Sequence, residues 1–185
     1  MHVENIITNH RFYVITGGPG AGKTSLLDEL NKQNFKCIPE VAREIIIEQM
    51  KSGGDAVPWK NTELYKQIMM DRSVETYYSA SFENNEISFF DRGIPDTISY
   101  ARLLDSPVSK EFDLYAKSLR YNRKVFILPP WQEIYETDSE RKQSWEEAVM
   151  TYEVLKDTYI SYEYELIEIP KIDILKRAEF ILQYI

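Results

Sequence analysis

Residues 12–24, F-Y-V-I-T-G-G-P-G-A-G-K-T, decide the fold of this chain. The last eight of them, residues 17–24, match the pattern G-x-x-x-x-G-K-[ST] at every fixed position. The apolar and β-branched residues before the glycines predict a buried strand, and Leu26, Leu27 and Leu30 behind them recur at helical spacing. A strand, a glycine loop and a helix in this order present backbone N–H groups at a helix N-terminus, an arrangement that binds polyphosphate.

The motif also assigns chemistry to individual residues. We expect Lys23 to bridge the β- and γ-phosphates and the hydroxyl of Thr24 to ligate Mg²⁺. The predicted nucleotide-binding residues are Gly17, Gly18, Pro19, Gly20, Ala21, Gly22, Lys23, Thr24 and Ser25. The alternative is a glycine-rich turn that binds nothing, but the flanking strand and helix favour binding of a nucleoside triphosphate.

Composition limits the remaining possibilities. A chain of 185 residues that is 43% hydrophobic predicts one domain, residues 1–185, with a full core. Its net charge of −8 disfavours a nucleic-acid backbone or an anionic membrane as the main partner. The first residues lack the pattern of a signal peptide, and no apolar run reaches the length of a transmembrane helix. Because the lone Cys37 cannot form an internal disulfide, a cytoplasmic location is expected.

Predicted strands and helices alternate along the chain, which is typical of an α/β fold whose parallel sheet is covered by helices. After the first strand, further strands are predicted at residues 35–38, 87–90, 125–128 and 166–169. Helices are predicted at residues 41–50, 62–82, 97–104 and 109–119, along an apolar stripe at residues 145–162, and from about residue 172 onwards.

The residues that follow the third strand carry the next prediction, because ligands in such sheets bind beyond the carboxyl ends of the strands. Asp91 stands where a Walker B aspartate would, and it is predicted to hold Mg²⁺ together with Thr24. Its neighbour is Arg92, where many hydrolytic ATPases have a glutamate that activates water. An arginine there suits a phosphoryl group or an anionic substrate. The alternative is an Asp91–Arg92 pair that only caps the strand.

Glu40 follows the second strand at the same edge, and Arg43 lies three residues later on the neighbouring helical face. A carboxylate there can accept a proton from a substrate hydroxyl during phosphoryl transfer, or it can merely favour a helix N-terminus through the dipole. As a base, Glu40 is expected to face a cavity beside the glycine loop. Arg43 and Arg92 on its walls would hold an anionic acceptor or the transferred phosphoryl group, with Asp96 at its rim.

Two further segments remain open between a functional and a structural interpretation. The polar segment at residues 136–143 could form a helical lid over the phosphates, in which Arg141 neutralises charge on the transferred group. It could instead be a solvated helix start capped by Asp138 or Ser139. Trp131, after two prolines, could stack on a base or pack in a wall, and wall packing is favoured.

The chain resembles a family of small P-loop ATPases known as the AAA domain, which includes the ribosylnicotinamide kinase domain of a bacterial NAD-biosynthesis regulator. The resemblance covers nearly the whole chain and is carried by the glycine loop, Pro39-Glu40-x-x-Arg43, Phe90-Asp91-Arg92-Gly93-x-Pro95-Asp96 and Leu128-Pro129-Pro130-Trp131. It implies a three-layer nucleoside- or nucleotide-kinase-like sandwich with strand order 2-3-1-4-5, and ATP with Mg²⁺ as cofactors. Glu40 and the Asp91–Arg92 dyad are also similar to the corresponding residues of deoxynucleoside and thymidylate kinases.

The sequence therefore predicts a kinase-like phosphotransferase that moves the γ-phosphoryl group of ATP to a small hydroxyl- or phosphate-bearing acceptor. Two alternatives stay open: an ATP hydrolase in which water replaces the acceptor, and a nucleotide-dependent binding switch with little turnover. The sequence has no Asn-Lys-x-Asp element for reading guanine, and neither an arginine-finger region nor the small helical domain of ring-forming ATPases is found. The expected partners are a nucleoside triphosphate and a small molecule, and the oligomeric state is left open.

Overall fold

The computed structural model describes residues 5–83, 86–135 and 144–185. In these residues short strands alternate with helices along most of the chain. The strands are β1 (Ile7–Thr8), β2 (Phe12–Gly17), β3 (Lys36–Ile38), β4 (Ser88–Asp91), β5 (Leu119–Arg120), β6 (Lys124–Leu128) and β7 (Glu165–Glu168). The helices are α1 (Lys23–Lys32), α2 (Val41–Ser52), α3 (Thr62–Glu83), α4 (Ile94–Leu103), α5 (Lys110–Ser118), α6 (Trp145–Ser161) and α7 (Ile174–Leu182), and a 3₁₀ turn spans Gln132–Ile134.

Five of these strands form one parallel sheet in the order β3-β4-β2-β6-β7. Numbered along the chain, these strands are in the order 2-3-1-4-5, so the predicted topology is confirmed. The register pairs Ile15 with Asp91 and Gly17 with Leu128. The carboxyl ends of β4, β2 and β6 therefore meet at one edge, where the glycine loop begins.

Helices cover both faces of the sheet because the side chains of β2 alternate between two apolar clusters. Phe12 and Val14 lie in a cluster with buried residues of α3, α4, α5 and α6. Tyr13 and Ile15 lie in a second cluster with residues of α1 and α7. All six residues of β2 are buried, which explains why it reads as a continuous apolar run.

The structure departs from the sequence prediction in two places. Helix α4 begins at Ile94, not at residue 97, because Gly93 caps it and Pro95 fits its first turn, where no intrahelical N–H bond is needed. A second, two-stranded parallel sheet joins Ile7 to Leu119 and Thr8 to Arg120. Strands of two residues carry no periodicity, so the sequence did not predict this sheet. Within the described ranges, no helix is both long enough and apolar enough to span a membrane.

Candidate active site

The glycine loop connects β2 to α1 and bends through two residues in the left-handed region, Gly20 at φ +72° and Gly22 at φ +88°. A side chain on Gly20 would lie 2.7 Å from the ring of Tyr135, so this position also needs glycine for space. The Nζ of Lys23 donates hydrogen bonds to the carbonyl oxygens of Gly17 at 3.1 Å and Gly18 at 3.3 Å. Burial, together with the positive charge of Arg92, lowers the pKa of Lys23 to about 8. Among the described residues, the ammonium of Lys23 is thus a buried cation that bonds only to backbone carbonyls, an arrangement that could accept an anion such as a phosphate.

Asp91 and Thr24 line the same cavity, of about 500 Å³, at the end of β4. The Oδ1 atom of Asp91 is buried and has no hydrogen-bond partner in the described part of the chain. Burial raises the pKa of Asp91 although Lys23 opposes the rise. A carboxylate oxygen of this kind, in a cavity that the hydroxyl-bearing Thr24 also lines, fits a hard cation such as Mg²⁺. No group of three or more His, Cys, Asp or Glu that could hold a metal occurs among the described residues.

Arg92 at the end of β4 is bound by two carboxylates, Glu40 after β3 and Asp96 in the first turn of α4. Its Nε donates to Oε1 of Glu40 at 2.8 Å, and its Nη1 donates to Oδ1 of Asp96 at 3.1 Å. Burial opposes the charge of Arg92, but the carboxylates of Glu40, Asp96 and Asp91 outweigh it, so the pKa of Arg92 lies above its usual value. Its backbone has φ +71°, which is uncommon for a residue with a side chain, and its N–H donates to the carbonyl of Ile15 at 3.1 Å. The dyad is therefore a fixed part of the sheet edge.

Asp96 lines the cavity that Glu40 faces, where the sequence predicted it at the rim. It is only 6% exposed, so it lies in the wall of that cavity. Besides Arg92, its carboxylate accepts hydrogen bonds from Thr16 Oγ1 at 2.6 Å, from the backbone N–H of Gly93 at 2.9 Å and from Tyr159 OH at 2.5 Å. Four donors occupy its two oxygens, so Asp96 lines the cavity wall and positions Arg92, and its oxygens have little capacity left for a ligand.

Glu40 faces a cavity of about 310 Å³ between α3, α4 and α6. Pro19 of the glycine loop lines the same cavity, as does Arg92. The side chain of Glu40 remains 28% exposed, so the ion pair with Arg92 does not bury it. Burial opposes ionisation of Glu40, but Arg92 and Lys23 outweigh it, and the pKa of Glu40 lies below its usual value. Glu40 is therefore an ionised carboxylate beside the loop; we refer to this space as the acceptor cavity.

Arg43 shares a cavity with Glu40 beside the glycine loop, as the sequence predicted, but Arg92 does not line that cavity. Glu40 lines both cavities: one with Arg43, Thr24 and Asp91, and the acceptor cavity with Arg92. The two predicted arginines therefore line different cavities, and the positive charge of Arg43 helps to lower the pKa of Glu40. Arg141, predicted to act from a lid, lies outside the described residues.

A pair of residues that the sequence did not bring together lies beside the loop. Trp131 and Arg177 line a cavity of about 380 Å³ with residues 20–25. The guanidinium of Arg177 lies 4.5 Å from the centre of the Trp131 ring, and its Nη1 donates to the carbonyl of Ala21 at 3.4 Å. Arg177 is 3% exposed, and its buried Nε has no partner among the described residues. The sequence signal was an arginine on the buried stripe of α7, between Ile174 and Ile181.

Comparison with solved structures relates this geometry to known proteins. Deoxyadenosine kinase from M. mycoides, solved with dCMP and dCDP, is 16% identical, covers 94% of this chain and 97% of its own, and superposes with a TM-score of 0.65. The NadR protein in complex with NR is 22% identical over 93% of this chain and 49% of its own, with a TM-score of 0.67. Thymidylate kinase from Ehrlichia chaffeensis is 16% identical over 94% of this chain and 97% of its own, with a TM-score of 0.61. At these identities the likeness establishes a shared fold.

The sequence comparisons give the family. No curated protein matches the chain. A family model described as an AAA domain matches residues 12–177, which run from the first residue of β2 into α7 and include the glycine loop, Glu40, Asp91 and Arg92. The chain therefore belongs to this AAA-domain family.

Proposed function

We propose that the protein is a phosphotransferase that moves the γ-phosphoryl group of ATP to a hydroxyl of a small molecule bound in the acceptor cavity. One observation carries the proposal: Glu40 and Arg92 face a cavity that is also lined by Pro19 of the glycine loop. A molecule there would lie next to the terminal phosphate of a nucleotide held by the loop. A plain hydrolase needs only a water molecule at that position, and a cavity of about 310 Å³ is far larger than one water.

In phosphoryl transfer, residues of the loop and of the sheet edge would have different roles toward the nucleotide. Lys23 would leave the carbonyls of Gly17 and Gly18 and neutralise charge on the β- and γ-phosphates. Thr24 and Asp91 would hold Mg²⁺, which when bound neutralises phosphate charge and fixes the geometry of the nucleotide. When the nucleotide binds, Lys23 would thus exchange hydrogen bonds to neutral carbonyl oxygens for hydrogen bonds to charged phosphate oxygens, which are stronger.

Glu40 and Arg92 would act on the acceptor. The acceptor oxygen forms a bond to the γ-phosphorus while the bond between that phosphorus and the β–γ bridging oxygen breaks, which releases ADP. The hydroxyl proton passes to the carboxylate of Glu40, which Arg92 holds in place at 2.8 Å. Because phosphoryl transfer has a loose transition state, the main contribution of Glu40 is to orient the hydroxyl.

Trp131 and Arg177 would form a wall of the nucleobase site. Their cavity joins residues 20–25 of the loop to the apolar side chains of Ile134, Ile172 and Ile174. A planar base is held by apolar walls together with a few fixed polar groups, and this lining contains both. The Nε of Arg177, which is buried and has no partner among the described residues, could donate to an acceptor atom of the nucleotide.

The names of the structural neighbours support the same assignment, since two of the three are kinases of nucleosides or nucleotides by name. ATP hydrolysis and a binding switch with little turnover remain the alternatives to transfer. The test compares Glu40→Gln with a control variant, Glu86→Gln. Glu86 is an exposed carboxylate that lines none of the cavities described above.

The expected result separates binding from transfer. Glu40→Gln should lower acceptor-dependent ADP release by about 100-fold or more and leave ATP affinity by calorimetry within about twofold of the wild type. Glu86→Gln should change neither quantity. Equal ADP release from wild type and Glu40→Gln, with no dependence on any acceptor, would overturn the kinase assignment in favour of hydrolysis. Absence of turnover in the wild type, with ATP bound, would favour the switch.

A further inference from the structure

Two buried hydroxyls hold the carboxylate that bonds to Arg92. Tyr159 donates to Oδ2 of Asp96 at 2.5 Å, and Thr16 donates to Oδ1 at 2.6 Å. Asp96 also accepts from Arg92, which donates in turn to Glu40. Resting on the proposed function, we propose that Tyr159 and Thr16 are positioning residues for phosphoryl transfer, which fix the carboxylate of Asp96 and through it the arginine that holds the general base.

The direction of the Asp96 carboxylate is set by donors on both of its oxygens. Oδ1 accepts from Thr16 and from Nη1 of Arg92. Oδ2 accepts from Tyr159 and from the backbone N–H of Gly93. Arg92 and Gly93 lie within four residues of Asp96, whereas the two hydroxyls come from other elements, β2 and α6. The hydroxyls therefore tie this turn of the chain to the rest of the fold, through bonds that a charged acceptor makes about twice as strong as neutral ones.

The hydroxyl of Tyr159 is a fixed donor. Tyr159 is fully buried, and burial together with the carboxylate of Asp96 raises the pKa of this hydroxyl well above its usual value. A Cβ on Gly93 would lie 3.2 Å from the hydroxyl oxygen and 3.0 Å from Val14, so the surroundings are closely packed. The hydroxyl is therefore protonated at neutral pH and has little space in which to move away from Asp96.

The helix that carries Tyr159 also forms a wall of the acceptor cavity. Met150, Thr151 and Leu155 of α6 line this cavity. Tyr159 follows Leu155 by one turn on the same face of the helix. The element that would contact the acceptor thus also bonds to the carboxylate that positions Arg92. Such positioning matters because a displacement of about 1 Å that originates far from the reacting atoms can cost about 100-fold in rate.

Substitutions that remove single hydroxyls test this network. Tyr159→Phe removes one donor to Asp96 and keeps the ring, and Thr16→Val removes the other donor with little change of volume. Tyr162→Phe is the matched control for the tyrosine, because Tyr162 lies at the end of the same helix, is 6% exposed and also donates to a carboxylate, Oδ1 of Asp113, at 2.9 Å. Neither Tyr162 nor Asp113 lines any of the cavities described above.

The first measurement does not depend on the reaction. The Nε–H of Arg92 donates to Glu40, and its rate of hydrogen exchange with water, read from ¹H–¹⁵N spectra of the full chain, reports how often this bond opens. Arg92→Lys assigns the signal by its loss. Tyr159→Phe and Thr16→Val should speed the exchange by on the order of tenfold, and Tyr162→Phe should leave it within about twofold of the wild type.

Unchanged exchange in a folded Tyr159→Phe variant would overturn the proposal, because Arg92 would then be held without this hydroxyl. Circular dichroism checks the fold of each variant. If Tyr159→Phe does not fold, the same comparison of exchange rates between the wild type and Thr16→Val decides.

The second measurement connects the network to transfer. The acceptor is the member of a mixture of nucleosides, nucleotides and vitamin precursors that the wild type phosphorylates, and kcat is expressed per ATP-binding site counted by calorimetry. Tyr159→Phe should lower kcat by about tenfold to 100-fold and leave the KM for ATP within about twofold of the wild type, whereas Tyr162→Phe should change neither.

The two measurements separate this inference from the proposed function. Faster exchange at Arg92 in Tyr159→Phe with an unchanged kcat would overturn the positioning role and leave the phosphotransferase assignment standing. A wild type that phosphorylates no member of the mixture would overturn the proposed function, and the exchange rates would then still show whether Tyr159 holds Arg92.

Discussion

Replacing Lys23 with methionine should stabilise the nucleotide-free protein while it abolishes tight nucleotide binding. Lys23 is 8% exposed, and its ammonium is bonded only to the backbone carbonyls of Gly17 and Gly18 among the described residues. A pKa lowered from 10.5 to about 8 corresponds to about 3 kcal/mol of destabilisation of the folded state with the lysine protonated. Methionine has a similar length and carries no charge, so the variant avoids this cost.

The sign of the effect follows from where the proton is bound. Below pH 8 the lysine is protonated in both the folded and the unfolded chain, so the full cost of about 3 kcal/mol is present. Between pH 8 and 10.5 the folded chain releases the proton first, and the free energy of unfolding of the wild type rises relative to the variant. Above pH 10.5 the two proteins should be equally stable.

Urea denaturation of wild type and Lys23→Met at pH 7 and pH 10 measures this difference, and calorimetry measures ATP binding at pH 7. We expect the variant to be more stable by up to about 3 kcal/mol at pH 7, with most of the gain lost by pH 10. ATP affinity should fall by about 2–4 kcal/mol, the cost of a missing charge-assisted phosphate contact. A variant that is less stable than the wild type by the same amount at both pH values would refute the reasoning, because Lys23 would then stabilise the folded loop.

Three further substitutions test other parts of the site. Asp91→Asn should lower Mg²⁺-dependent turnover by about 100-fold without lowering the melting temperature, because Oδ1 of Asp91 makes no hydrogen bond within the described part of the chain. A large loss of melting temperature would indicate a structural role. Arg92→Lys should lower turnover at least about tenfold, because one ammonium cannot bridge Glu40 and Asp96 as the guanidinium does. Circular dichroism checks that the variant is folded, and full activity would contradict the role of this bridge. Trp131→Ala should weaken the binding of ATP by about 1–3 kcal/mol in calorimetry and leave the binding of inorganic tripolyphosphate unchanged. Equal losses of affinity for both ligands would exclude a contact between Trp131 and the base.

The sequence predicted those features that depend on local pattern. The glycine loop, the buried β2 and the order of the sheet follow from one motif, from apolar runs of strand length and from the family resemblance, and the structure confirms the topology. The start of α4 was missed by three residues because Gly93 caps the helix through its backbone and the carboxylate of Asp96, a bond that apolar periodicity does not reveal.

The roles of residues within the site depend on contacts between distant parts of the chain, and the sequence predicted these roles less completely. Glu40 and Arg92 are 52 residues apart, and Asp96 and Tyr159 are 63 apart, so neither pairing is visible in a local pattern. The arginines of the predicted site were assigned to an anionic acceptor or to the transferred phosphoryl group, but Arg92 is paired with Glu40 and Asp96, and Arg43 lines a different cavity of Glu40. Arg177 was missed because only the fold brings α7 against the loop.

The destination of the γ-phosphoryl group tests the central claim most directly. A single turnover of ATP by the full chain in ¹⁸O-water, with and without a mixture of nucleosides, nucleotides and vitamin precursors, can be followed by mass spectrometry of the phosphorylated products. The account predicts a phosphorylated organic product without ¹⁸O, formed only when the mixture is present, and little inorganic phosphate. Recovery of the γ-phosphoryl group as ¹⁸O-labelled inorganic phosphate, at the same rate with or without the mixture, would contradict it.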